Sequence, residues 1–325
     1  MNTDMNKLEE QETAFRSSAL RWDIVWMFIG TTAVAAVGVP LYGILNGFTA
    51  APWIAFGVLV AVCNMAITTG YHRLWSHKTY DAHWSVRVML ALAGALALEN
   101  SILKWASDHR RHHGHVDDPY KDPYAATRGF WFSHMGWMLR DYPSAPMDYS
   151  NVRDIEKDPI VKWQHRYYLP LAVGINVAVP LALGFIFGQV LETMLVAGFL
   201  RLVVTHHTTF FINSLAHIIG SKPWFGGNTA RDNFILALLT FGEGYHNFHH
   251  AHPSDYRNGI RFWQWDPSKW LIRGLSFLGL TRNLKTVSAT RIVRMRLRQD
   301  APIEMHSRGH SENVVRASAI KRPAA

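Results

Sequence analysis

Cysteine is almost absent: Cys63 is the only one in 325 residues. An intrachain disulfide is excluded, and so is any zinc or iron–sulfur site built on thiolates, so a metal in this chain has to be held by His, Asp or Glu. Charge is missing over long stretches as well. Residues Ile24 to Leu45, Phe48 to Tyr71, Tyr167 to Gly188 and Val190 to Ile212 carry only Glu192 and Arg201 between them. Each is long enough to cross a bilayer. The mean hydropathy of −0.03 hides them, because the rest of the chain is strongly polar. The first 22 residues lack an apolar core beside a cleavage site, so they are expected to be a polar segment and not a signal peptide.

Lys and Arg are absent from the connections around Asn46 and Gln189. Three precede the first apolar stretch, thirteen lie between Arg73 and Arg166, and sixteen follow from Lys222 onward. By the positive-inside rule both termini and both large polar segments face the cytoplasm, and the spans form two tight hairpins. In a bacterium this would be the inner or plasma membrane. The net charge of +9 is then topology and attraction to anionic lipid; four spans fit nucleic acid poorly. Val88 to Leu98 is apolar but covers only roughly 16 Å as a helix, too short to span, and reads as a re-entrant or interfacial helix. The expected fold is an all-α membrane protein: four transmembrane helices in two hairpins below a cytosolic helical cap. The expected domain runs over 23–285, with spans at about 24–45, 48–71, 167–188 and 190–212, and 286–325 is a basic, flexible tail.

What the chain has in abundance is histidine, 18 in all. Nine fall in four groups: His72 and His77 in "HRLWSH"; His109, His112 and His113 in "DHRRHH"; His217 with Asn213 in "NSLAH"; and His246, His249 and His250 in "HNFHH". Positions i, i+3 and i+4 share a helix face, so each H-x-x-H-H can turn three imidazoles toward a common centre, and Asn213 faces the same way as His217. Imidazole suits iron, zinc, copper or nickel, and nine ligands exceed one ion, so two metals are the natural count. A single H-x-x-H-H is a weak signal. Four groups on one side of the membrane, all beside span ends, are a strong one. His83, His134, His165, His306 and His310 lack the spacing, and His115 and His252 read as outer neighbours. His206, His207 and Arg201 lie inside a span, where a functional group and a polar contact between helices are equally good readings.

With "HRLWSH", "WASDHRRHH", "GFWFSHMGW", "NSLAH" and "GEGYHNFHHAHPSDYR" in this order, the chain resembles the integral-membrane fatty acid desaturases, in particular the acyl-CoA delta-9 (stearoyl-CoA) group, over about residues 22–285. The resemblance implies a mushroom-like fold and a di-iron centre on His72, His77, His109, His112, His113, His217, His246, His249 and His250, with Asn213 holding a water at one iron. It further implies a bent acyl tunnel past Asn100 and Trp105, with Asp108 near the headgroup, Thr209 and Phe210 at the kink, and Arg140 as the remaining basic residue after "HMGW". Two Fe2+ ions, two electrons and O2 would remove two hydrogens from a saturated long-chain fatty acyl substrate, giving a cis double bond, delta-9 by resemblance.

Departures from the family pattern concern the acyl carrier. Ser107 stands where the animal enzymes have an arginine, and Arg140 is followed by Asp141, so acyl-lipid remains an alternative to acyl-CoA. Polar Asn64 lies near the expected tunnel floor. Electrons are expected from a separate ferredoxin, rubredoxin or cytochrome b5-like donor with its reductase, because the tail is too short for an appended redox domain. A carboxylate di-iron enzyme would need two Glu-x-x-His motifs, and only Glu243 with His246 fits. A membrane hydroxylase is the nearer rival; a metal transporter or sensor would want its ligands within the spans. Glu243 is expected to act as an outer hydrogen-bond partner.

Overall fold

A computed structural model describes residues 2–299, with side chains for 5–296. The helices that position the site are α1 (Asn2–Arg16), α2 (Trp22–Asn46), α3 (Ala50–Ser76), α4 (Trp84–Ala97), α5 (Ile102–Gly114), α6 (Tyr168–Phe187), α7 (Val190–Ile218), α8 (His246–Ala251), α9 (Pro267–Phe277) and α10 (Ala289–Gln299). Helices α2, α3, α6 and α7 are long and apolar enough to cross a membrane. Helices α2, α3 and α7 run a few residues past the expected limits, chiefly at the histidine-bearing ends of α3 and α7, and α6 falls within them.

The two hairpins close at the opposite end. Gly47 and Gly188 terminate α2 and α6 at positive φ, 74° and 68°, which only glycine adopts without penalty. Glu192 is buried there and accepts from the Thr49 backbone N–H at 2.8 Å and from the Thr49 hydroxyl at 2.9 Å, which pins one hairpin turn to the other.

Helix α4 is the short apolar segment read from the sequence, and α5 leaves it at 81°. The last carbonyls of a helix lack i+4 partners, a serious deficit away from water; here only Ala95 O is met by the capping Leu98 N–H, at 3.1 Å. Three side chains from α6 and α7 supply further partners: Asn176 Nδ2 donates to Ala95 O at 3.4 Å, Arg201 Nη1 to Leu96 O at 2.9 Å and His206 Nε2 to Ala97 O at 3.0 Å. Arg201 also donates to Asn176 Oδ1 at 2.7 Å. The intramembrane charge and its neighbouring histidine are therefore helix-end partners. Since Asn176 lies about 12 Å along α6 from Tyr168, the C-terminal end of α4 packs against the body of this helix.

Helix α4 also packs unusually close to α3. A Cβ on Gly94 would stand 2.2 Å from the Tyr71 ring, itself fully buried and accepting from Gln164 Nε2 at 2.6 Å. Gly94→Val is expected to destabilise the protein by about 1–3 kcal/mol through overpacking. A thermal unfolding midpoint equal to that of the wild type would show that α4 yields instead.

The cap is tied together by the two-residue antiparallel ladder Asp81–Ala82 with Thr281–Arg282. The N-terminal segment, expected only to be polar, is helical and docks through Phe15 and Glu12: Phe15 is buried, stacks on Tyr142 at 5.1 Å and carries the Arg128 guanidinium 4.2 Å above its ring, and Glu12 accepts from the Tyr120 hydroxyl at 3.2 Å. The expected flexible tail starts with α10, whose Arg296 lies 4.9 Å over the Trp224 ring. The tail beyond 299 lies outside the described residues.

Candidate metal centre and its cavity

Every residue from Ala66 to Ser76 is buried, and this last part of α3 is wound as a π-helix. The winding explains the H-x4-H spacing. At 3.6 residues per turn five positions sweep about 500° and would leave His72 and His77 about 140° apart. The i→i+5 closure of a π-turn returns them to nearly the same face, and His77 N–H donates to His72 O at 3.1 Å in that register.

The nine histidines form two nests. His72, His77, His109, His113 and His249 make the first, and His112, His217, His246 and His250 the second; within each, the ligating atoms lie within 4.8 Å of one another. This corrects the expectation that each H-x-x-H-H serves one centre. On α5 the i, i+4 pair His109 and His113 enters the first nest while His112, turned off that line, enters the second. On α8 the pair His246 and His250 enters the second and His249 crosses to the first. The nests therefore share both helices, and stacking of His113 on His250 at 4.4 Å joins them.

The Nε2 atoms converge. In the first nest His77 to His109 is 2.8 Å, and His249 lies 3.0 Å from both His72 and His113. In the second, His246 lies 3.0 Å from His217 and 3.1 Å from His250, which is 3.3 Å from His112. Nitrogens bonded to one first-row metal at about 2.1 Å stand about 3 Å apart along an octahedral edge, so the spacing fits a metal at the middle of each nest. Burial first, then the charge each neighbour would carry, pushes the pKa of His77, His109, His113, His246, His249 and His250 well below the usual imidazole value. Their lone pairs are free at neutral pH, the form a metal requires.

The far nitrogens are held by partners that fix ring orientation. His112 Nδ1–H donates to Asp122 at 2.9 Å, His109 Nδ1–H to the Tyr124 oxygen at 3.1 Å and His217 Nδ1–H to Thr229 Oγ1 at 2.7 Å, while His72 Nδ1 lies 2.9 Å from Glu243 Oε2 as an ion-pair contact. Thr229 in turn donates to Asp117. Glu243 is thus the outer partner expected, and it is anchored further. Arg73, fully buried, donates to Glu243 Oε1 at 3.0 Å and bridges to Asp266 at 3.0 Å. Burial alone would raise the Glu243 pKa, but His72 and the Arg73 guanidinium outweigh it and hold the carboxyl below the usual glutamate range.

A cavity of about 310 Å³ lies beside the nests. Asn100, Trp105, Asp108, Thr209, Phe210 and Arg140, scattered over 111 positions, all line it, as does Asn213. A smaller space of about 30 Å³ touches His72, His109, His112 and His246 and shares Trp105, Tyr124, Thr209 and Asn213 with the large cavity, so the two abut where the metals would sit. Asn64 lines this small space and accepts from Thr208 Oγ1 at 3.0 Å. Ser107 is buried and donates to Asp148 O at 2.9 Å and Asn151 Oδ1 at 2.8 Å, so an arginine has no room at that position.

Four residues that matter here escaped the sequence reading. Asp122 and Tyr124 lie in a turn-rich loop without periodicity. Lys104, buried, pairs with Asp108 at 2.6 Å. Glu99 follows α4 and sits on the cavity wall, where Thr209 Oγ1–H donates to it at 2.7 Å and Trp105 Nε1–H at 3.4 Å. Its signal was an acidic residue just past an apolar run. His134 and His207, 2.9 Å apart, pair with each other and stay outside both nests.

The fold and this site define an integral membrane protein with two adjoining histidine nests opening on a cavity. The chain belongs to the fatty acid desaturase family, whose profile matches residues 48–276. It is 42% identical over 269 residues to the probable acyl-CoA desaturase of Schizosaccharomyces pombe, covering 82% of this chain and 55% of that one. It is 43% identical over 241 residues to acyl-CoA desaturase 1 of Saccharomyces cerevisiae, covering 74% and 47%. Stearoyl-CoA desaturase 4 of Mus musculus is 34% identical over 273 residues, covering 82% and 77%. The chain spans about half the length of the two yeast relatives.

Proposed function

We propose that this protein is an O2-dependent fatty acyl desaturase that places a cis double bond, at the delta-9 position, in a saturated long-chain acyl-CoA. One observation carries the reading: two all-histidine nests meet a long cavity at Trp105 and Thr209. Its names come from relatives called acyl-CoA and stearoyl-CoA desaturases. The nests would hold two irons through the nine histidines, with Asn213 supporting a water at one of them. When bound, such a pair supplies the oxidising power for an unactivated methylene, which no side chain possesses. The balance is one saturated carbon pair, O2, two electrons and two protons to one double bond and two waters.

The protein's own residues position and shield. Ile24, Met27 and Phe28 of α2 and Leu169 of α6 give the cavity an apolar wall that keeps water from the chain. Trp105, stacked on His109 at 4.8 Å, and Thr209, held by Glu99, form the bend that presents one carbon pair to the nests. Arg21 and Arg140 line the cavity beside Asp23 and Asp141, and Arg21 pairs with both carboxylates, at 3.1 and 3.7 Å, so an anionic carrier would have to compete for that guanidinium. With positive charge on the histidine side, that side and both termini face the cytoplasm, where a separate ferredoxin, rubredoxin or cytochrome b5-like donor with its reductase would deliver electrons.

Gas chromatography of lipids from cells lacking their own desaturase tests the reading. The expected result is restored cis-unsaturated acid on expression, lost in the His249→Ala variant. A hydroxylated product would assign the other oxygen chemistry, and desaturation of intact phospholipid but not acyl-CoA by purified protein would reassign the carrier.

Glu99 gives this activity a pH signature. Burial pushes its pKa up to about 8, against the hydrogen bonds from Thr209 and Trp105 that pull it down. The neutral carboxyl therefore dominates at pH 7, and a charge appears at the bend as pH rises through about 8. Turnover is expected to fall there with a rising KM for the acyl substrate, and Glu99→Gln to lack that alkaline limb. Superimposable pH profiles would remove Glu99 from the substrate path.

A further inference from the structure

Large apolar side chains exposed on α2, α3, α6 and α7 are accounted for by the bilayer these helices cross. A second exposed apolar surface lies outside them. Between 262 and 278, Phe262 (81% exposed), Trp263, Trp265, Trp270, Phe277 (75%) and Leu278 all point outward. The other face of α9 is closed, with Ser268, Lys269 and Ile272 buried. A patch this aromatic marks contact with another phase or another molecule.

The spans tell which. Helix α3 starts at Ala50, and a hydrocarbon layer of about 30 Å takes about 20 residues, so Thr68 stands at its histidine-side edge. Ser268 of α9 meets Thr68 there, hydroxyl to hydroxyl, and lies 3.7 Å from Met65 Sδ, nearly a turn deeper. The far end of α9 is joined to the start of α4: His83 N–H donates to Leu280 O at 2.8 Å, and Trp84 beside it is 64% exposed. Two cations complete the pattern. Arg261 lies 5.3 Å over the Trp263 ring and Arg273 4.8 Å over that of Phe277. Aromatic body and cationic tip on one surface suit a layer whose one side is apolar and the other phosphate.

We propose that residues 262–278 form a lipid-facing foot, by which the cap rests in the boundary between headgroups and hydrocarbon on the histidine side of the membrane. Thr68 is itself covered by Ser268, so at this height it is the outward aromatic face of α9 that continues the lipid-facing surface of the spans, which is why phospholipid and not a second copy or a redox partner occupies this face. The foot holds the cap at fixed height over the spans through α9 and its contact with α3.

The test uses the full chain in phospholipid nanodiscs, one copy per disc, so that no second copy can cover the face. Phe277→Cys, Trp263→Cys and, as aqueous reference, Lys121→Cys, whose side chain is 58% exposed, are each labelled with a nitrobenzoxadiazole probe. Cys63 is buried and stays unlabelled. The labels at 263 and 277 are expected to emit to the blue of the reference and to be quenched at least about threefold more by lipid bearing a nitroxide at acyl carbon 5, as a shallowly inserted face requires. They are also expected to be shielded from aqueous iodide. Behaviour equal to the reference overturns the proposal, and so does shielding from both quenchers, which means that protein covers the face. Because two sites at opposite ends are read, failure of one variant to fold leaves the other decisive.

Discussion

His112→Ala is expected to lower bound metal from two ions per chain to one, with loss of desaturation, and His77→Ala to do the same at the other position. The reason lies in the splitting of α5: His112 is one of four nitrogens in the second nest, while its neighbours His109 and His113 serve the first. Losing an outer partner of a metal ligand already costs about 10–100-fold in affinity or activity, and a ligand itself counts for more. The measurement is metal per chain by mass spectrometry on purified variants, with fold checked by thermal unfolding. If His109→Ala, His112→Ala and His113→Ala all removed the same ion, the motif would act as one three-ligand unit and the two-nest arrangement would be wrong.

Arg73→Met is expected to destabilise the protein by about 3–5 kcal/mol, the range for stripping one partner from a buried ion pair. The guanidinium is the buried cation set between Glu243 and Asp266, and it also donates to Tyr256 O at 2.9 Å. Asp266 otherwise accepts from the backbone N–H of Asn258, Gly259 and Lys269, which organise the loop into α9. Arg73→Lys keeps the charge but not the planar fork, so an intermediate loss is expected. Glu243 titrates below its ordinary 4.5, so its contribution is complete above that value and is lost as pH falls through it. The Arg73→Met variant should show a weaker acid dependence, since His72 still lowers the Glu243 pKa. Since Glu243 orients His72, metal in the first nest should fall too. A variant as stable as the wild type would mean that the carboxylates find other partners or take up protons without strain.

Much of the site was legible because its chemistry requires particular residue types. With one cysteine, nine histidines at helix-face spacings beside span ends pointed to a shared metal centre, and the structure brings all nine into two clusters that could hold metal. The six cavity residues came from resemblance, and the structure gathers them around one cavity. The division of ligands was not legible. Spacing shows that His109, His112 and His113 share a broad face, whereas the choice of nest depends on where α8 crosses α5. The H-x4-H of His72 and His77 likewise looks unfavourable on an α-helix until the π-turn of α3 is seen.

The sequence by itself determined the four apolar helices, the polar character of the cap and the histidine make-up of the clusters, because hydropathy, charge and imidazole chemistry are local properties of the chain. Tertiary structure alone decided the rest. Arg201 and His206 read from sequence as equally good functional candidates, and they are partners for carbonyls of α4. Glu99 read as nothing, and it meets Thr209 across 110 positions. Which buried polar group satisfies which is settled only when distant helices pack, since a carbonyl or carboxylate removed from water accepts whatever donor the fold brings within reach.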